Sequence, residues 1–214
     1  AILPFIEPRV KVVAISTCHW TNGARIDLVP IAAAARANGS SLVVDATQSL
    51  GAMPFPIDVI QPDFLTAASY KWQLGPYGVG LLYVAPRWRD ARPLEESWLA
   101  RDNAHDFTSL ANSSDNYQPG ARRFDVGEKG SLNTLPGAIA ALEQIEAWGV
   151  ANIASSLAMI NSRISAHLEQ LGFKVPGGKH RCPHMFGAVL PASYRGNLVA
   201  DLKSRHIYIS QRGN

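Results

Sequence analysis

The sequence predicts an α/β fold: a central, mostly parallel sheet with helices on both faces, then the start of a smaller C-terminal α/β domain. Three observations predict it. Short apolar, β-branched runs recur at Val10–Ser16, Ser41–Asp45, Asp63–Ser69 and Val79–Ala85, and near-continuous apolar character marks strands covered on both faces. A helical stretch with signals at both ends separates the first two. Only 17% of the 214 residues are charged and 47% are hydrophobic. Ordinary soluble domains carry roughly 25% charge, so much of this chain expects burial.

Each element has its own warrant. Asp27 is placed to cap a helix running to Asn38, with Pro30 tolerated in the first turn and Gly39 ending it. Leu135–Trp148 reads as a helix with Pro136 in its first turn. A second helix begins near Asn152, where Ile153, Leu157, Ile160, Ile164 and Leu168 keep one face, and Gly172 ends it. A strand at Met185–Leu190, a helix at Gly196–Arg205 and a strand at Ile207–Ser210 complete the reading. Pro86–Gly130 shows little periodicity and is long for a plain loop.

Composition excludes several classes. Glycine and proline are dispersed, so the chain is neither collagen-like nor disordered. No apolar run approaches the ~18–20 residues of a membrane span, and Ala1–Val10 has no basic leader segment. The net charge of +3 comes from scattered basic residues, the pattern of a solvated surface rather than of a nucleic-acid partner. Cys18 and Cys182 lie far apart and make no disulfide framework, which points to a reducing, cytoplasmic setting. The chain begins without Met, almost at a strand, and stops on a turn signal, Arg212-Gly213-Asn214. Both ends read as those of a fragment.

The chemistry gathers at strand ends, where parallel sheets collect ligands. Asp45 closes one apolar strand. Lys71 follows another and enters a tight turn, Gly75-Pro76-Tyr77-Gly78-Val79-Gly80. A desolvated lysine there becomes a nucleophilic amine, and an aspartate there can hold a cationic ring nitrogen. Pyridoxal phosphate (PLP) requires those two groups. The turn glycines precede a strand instead of opening a helix, so they are no dinucleotide fingerprint.

The segment VVDATQSLGAMPFPIDVIQPDFLTAASYKWQLGPYGVGLLYV resembles the cofactor segment of class V aminotransferase-fold PLP enzymes. That family includes cysteine desulfurases, selenocysteine lyases and kynureninases. The resemblance covers essentially the whole chain and implies the fold type I architecture of PLP-dependent transferases. Residues 1–147 would be the C-terminal portion of the large PLP-binding domain, and 148–214 an incomplete small domain. It implies a Schiff base on Lys71, Asp45 on the pyridinium nitrogen, and Gln48 on the phenolate oxygen. Thr47 would lie against one ring face, with Ser69 and Tyr70 at the phosphate. It also implies an amino acid substrate and a homodimer; the charge and hydropathy patterns above argue against a nucleic acid or membrane partner.

The resemblance departs from many desulfurases at Tyr70, where they carry His. Ser69-Tyr70-Lys71-Trp72 is more similar to kynureninase. A lyase of the desulfurase and kynureninase group is the favoured activity. A class V aminotransferase, an epimerase and a non-catalytic remnant are the alternatives. His19 and Trp20, after the first strand, and Arg212 near the end are candidate substrate residues. Arg122–Gly127 resembles the family segment that reaches the partner subunit's site. His180, Cys182 and His184 alternate, but three such residues on one short stretch are poor zinc spacing, so no metal site is expected.

Overall fold

The computed structural model describes residues 2–212. Four strands form one sheet in the order β1 (Val12–Ser16), β2 (Ser41–Asp45), β3 (Phe64–Ala68) and β4 (Gly80–Val84). β1, β2 and β3 are parallel, and β4 returns antiparallel to β3. All four lie inside the runs read from sequence. The parallel register pairs Val13 with Leu42 and Val44 with Leu65, which stacks apolar side chains on one face.

Helix α1 (Leu28–Asn38) covers that face. Both caps act as read: the Asp27 carboxylate accepts from the Val29 N–H at 3.2 Å, and Gly39 closes the helix at φ +71°. Leu28, Ile31, Ala32 and Ala35 of α1 pack on Val13, Leu42, Val44, Leu65 and Ala67 of the sheet. The other face is open in part, with Val12 56% and Leu82 45% exposed but Val84 only 1%. A single turn of helix, α2 (Ile57–Ile60), adds Ile60 to the core.

Asp63 fastens the end of the sheet away from the strands' carboxyl ends. Its buried carboxylate accepts from the Leu42 N–H at 2.7 Å, and from Arg87 Nε and Trp88 Nε1 at 2.6 Å each. Burial alone would raise its pKa. The Arg87 guanidinium, the Leu42 N–H and the Trp88 indole outweigh that and hold it below the usual carboxylate range.

Past residue 85 the chain changes character. Residues 86–130 run through short 3₁₀ turns. Helices α3 (Leu135–Trp148) and α4 (Val150–Gln170) follow, separated by Gly149 at φ +76°. No helix among the described residues is long and apolar enough to cross a membrane.

Two expected strands are absent among the described residues. Met185–Leu190 offers only an isolated bridge, Lys174 to Val189, and Ile207–Ser210 pairs with nothing in the sheet. A strand needs a neighbouring edge, and apolar alternation alone does not supply one. The intervening helix is present in shorter form, as α5 (Leu198–Lys203). The turn read at Gly213-Asn214 lies outside the described residues.

Candidate active site

The site forms where β2 and β3 end side by side. The Thr17 N–H donates to the Asp45 carbonyl at 3.1 Å, and the Ala46 N–H donates to the Thr66 carbonyl at 2.8 Å, so the ladder extends past the last residue of β2. The Asp45 main chain is thereby fixed while its side chain is exposed on the open face. Its Oδ1 accepts from the Thr47 N–H at 2.9 Å, which turns the chain out of the strand. Thr47 Oγ1 in turn accepts from the Ala68 N–H at 3.1 Å, joining the two strand ends through a side chain. An open cleft of about 400 Å³ results, walled by Asp45, Thr47, Thr66, Ala68, Tyr70 and Gly80.

Lys71 enters through the turn after β3. The Ser69 N–H donates to the Val79 carbonyl at 3.0 Å, and the Gly75 N–H donates to the Ser69 carbonyl at 2.9 Å. A Cβ on Gly75 would overlap the Ser69 side chain, so this turn requires glycine there. Tyr70 lines the cleft and stacks on Tyr77, with ring centroids 4.3 Å apart. The half-buried Lys71 places its Nζ 5.7 Å from the centre of the Tyr70 ring.

The structure thus brings Asp45, Thr47 and Tyr70 into one cleft, with Lys71 beside it. One other candidate, Ser69, faces a different partner. Ser69 is 3% exposed and its hydroxyl donates to the Pro76 carbonyl at 2.9 Å. To donate to a phosphate, that hydroxyl would have to leave Pro76. At Gln48 the main-chain carbonyl receives His184 Nε2 at 2.5 Å, a contact that leaves the side-chain amide uncommitted. On the β1 side, His19 is exposed, with Nδ1 2.8 Å from the Thr21 hydroxyl. The Arg212 guanidinium sits over the Trp20 ring at 5.4 Å, which joins two candidate substrate residues from opposite ends of the sequence. In the Arg122–Gly127 segment, Arg123 pairs with Asp90 at 3.5 Å.

Sequence reasoning missed two features. Thr66 belongs to the cleft wall and carries no motif signal. Cys18, Cys182 and His184 converge behind the site, although the sequence reading left the cysteines unconnected. Both thiols are fully buried and free. The hydrogen bond to Cys182, then burial, pushes the Cys18 thiol up. That bond, with help from the Arg25 charge, holds the Cys182 thiol down against burial. Burial also lowers the His184 pKa, against the pull of the Gln48 carbonyl.

Comparison with known proteins bears on this arrangement. The model of the aminotransferase class-V family matches residues 1–210, and the chain belongs to that family. An uncharacterised aminotransferase of Bacillus subtilis is 32% identical over 152 residues, covering 69% of this chain and 39% of its own length. The apo cysteine desulfurase of Thermococcus onnurineus superposes with a TM-score of 0.75 at 24% identity, over 92% of this chain and 48% of that one. A C-DES mutant with glycine covalently linked to its PLP cofactor superposes at 0.77 with 22% identity, over 97% of this chain and 54% of its own. The chain thus spans about two-fifths to one-half of the length of these proteins.

Proposed function

We propose that this chain is the cofactor-binding part of a PLP-dependent lyase acting on an amino acid. One observation carries the reading: a carboxylate at the end of β2 opens into a cleft whose far rim leads straight into Lys71. The residues fit the group. Asp45 is exposed toward the cleft with one oxygen engaged by Thr47, and it can hold a protonated pyridine nitrogen. Thr47 offers a methyl-bearing wall and Tyr70 a hydroxyl. Lys71 supplies the amine that holds the cofactor and then moves a proton at the substrate's α carbon. When bound, PLP supplies an electron sink for that carbon.

Family membership supports the fold and the cofactor. The Ser69-Tyr70-Lys71-Trp72 run, as a resemblance to kynureninase, supports a lyase of the desulfurase and kynureninase group. We assign residues 1–147 to the large domain and 148–214 to the small one, a boundary in the last turn of α3, just before Gly149. The whole protein is expected to be a cytoplasmic homodimer, and light scattering on it would show a dimer.

The test uses the full-length protein that carries this chain. Purified, it should be yellow, and Lys71→Ala should abolish the visible band. A colourless protein that takes up no added PLP would overturn the cofactor reading. Incubation with cysteine, kynurenine, or alanine plus an oxo acid then sorts the reaction. Sulfide or anthranilate supports the lyase, whereas amino transfer alone would replace it with the transaminase that the Bacillus relative's name carries.

A further inference from the structure

We propose that Cys18, Cys182 and His184 form a binding site for a thiophilic divalent metal ion, of which zinc is the type. The two sulfurs and a His184 ring nitrogen all lie within 4.8 Å of one another. Both cysteines are 0% exposed and His184 is 5% exposed. The set takes its donors from both sides of the fold: Cys18 from the exit of β1, the other two from residues 182–184.

Main-chain bonds hold these segments together, independently of the contact between the thiols. The Cys182 N–H donates to the Gly23 carbonyl at 2.8 Å, the Gly187 N–H to the Asn22 carbonyl at 2.8 Å, and the Arg25 N–H to the His180 carbonyl at 3.0 Å. The approach is so close that a Cβ on Gly23, which sits at φ +67°, would overlap the Met185 carbonyl. The donors are therefore already assembled, and little chain entropy is lost when an ion arrives.

The imidazole adds the independent sign. Its Nε2 contacts the Gln48 carbonyl at 2.5 Å. A carbonyl only accepts, so the hydrogen-bond network assigns the proton to Nε2. Nδ1 then carries a lone pair, and this buried atom has no hydrogen-bond partner. A ring held by a backbone carbonyl on one nitrogen, with the other lone pair free, is how a metal-ligating histidine is set. Trp72 packs its ring edge-on against His184, with centroids 4.6 Å apart, and keeps the ring from turning.

The charge balances. One divalent ion binds two thiolates and one neutral imidazole, and two thiol protons leave to solvent, so the buried site is neutral after loading. Three protein donors fill three corners of a tetrahedron, and a water molecule takes the fourth. The site stands directly behind Gln48 and Trp72, so the bound ion would brace the turn after β2 and the residue after Lys71. This inference does not depend on the PLP reading, and its readouts involve no cofactor.

The test loads the reduced full-length protein, purified without a histidine tag, with zinc or cobalt and then removes free metal. Atomic emission should find about one zinc per chain in the wild type. Cys182→Ser and His184→Ala should each retain less than about a tenth of that. Cobalt should give a thiolate-to-metal charge-transfer band that Cys182→Ser abolishes. The wild-type cobalt spectrum decides the matter even if a variant misfolds: absence of the band overturns the site. So does equal retention of zinc in a folded Cys182→Ser variant. A Cys18–Cys182 disulfide, seen as thiols that react in denaturant only after reductant, would also overturn it.

Discussion

Residues 12–85 and residues 135–212 each carry apolar residues at the period of their elements, yet they use them differently. In the first region, α1 and the sheet face meet and bury Ile31, Ala35, Leu42, Val44 and Leu65 to 5% exposure or less. In the second, α4 keeps the apolar stripe read from sequence, but Ile160 is 49% and Ile164 46% exposed. Ala138, Ile145 and Cys182 are the buried apolar residues of that second region among the described ones. Periodicity therefore announces a face; it does not say whether anything covers the face within the chain at hand.

The most damaging way to probe the buried region is at Asp63. Asp63→Ala leaves the Leu42 N–H without a partner, and urea unfolding should show a loss of about 2–4 kcal/mol. Asp63→Asn keeps an acceptor and should lose about half as much. The native pKa of Asp63 lies below its ordinary 3.8. Its stabilisation is thus complete above that value and fades as pH falls through the lower native one. The wild type should lose stability on acidification below about pH 4, and Asp63→Asn should show a shallower loss there. Identical acid profiles would remove Asp63 from the account of the sheet.

A paired substitution sharpens the contrast. Val44 is 0% exposed, so Val44→Ala should cost about 2 kcal/mol. Ile164→Ala removes more atoms from a half-open face and should cost less than about 0.5 kcal/mol. If the second change were the larger, the stripe on α4 would be a packed surface after all, and the contrast between the regions would fail.

Legibility in the sequence followed the same divide. The four strands, α1 with both caps, and α3 were readable because their signals are local: β-branched runs, Asp27, Gly39, a proline in a first turn. The positions of Asp45 at the end of β2 and of Lys71 just past β3 were readable because each follows a short apolar run. The strands expected at 185–190 and 207–210 failed because pairing depends on a remote edge. The Trp20 and Arg212 contact, the Thr66 wall and the Cys18, Cys182 and His184 convergence were out of reach for one reason. Each depends on where the chain returns, and no short window of sequence records that. The alternation of Cys182 and His184 was visible, but its partner was Cys18, not His180.

The hydrogen bond from His184 to Gln48 joins residues 136 positions apart, whereas β1, α1 and β2 meet between Val12 and Asp45. Chain closure over the longer span comes later, since non-local contacts wait on the loops that bring them together. The order of assembly is expected to be crossover first and thiol pocket last. Pulsed hydrogen exchange during refolding should protect the Val44 amide before the Cys182 amide. The polar seam behind the cleft would then serve as a completion mark, made only after the rest of this chain has found its place.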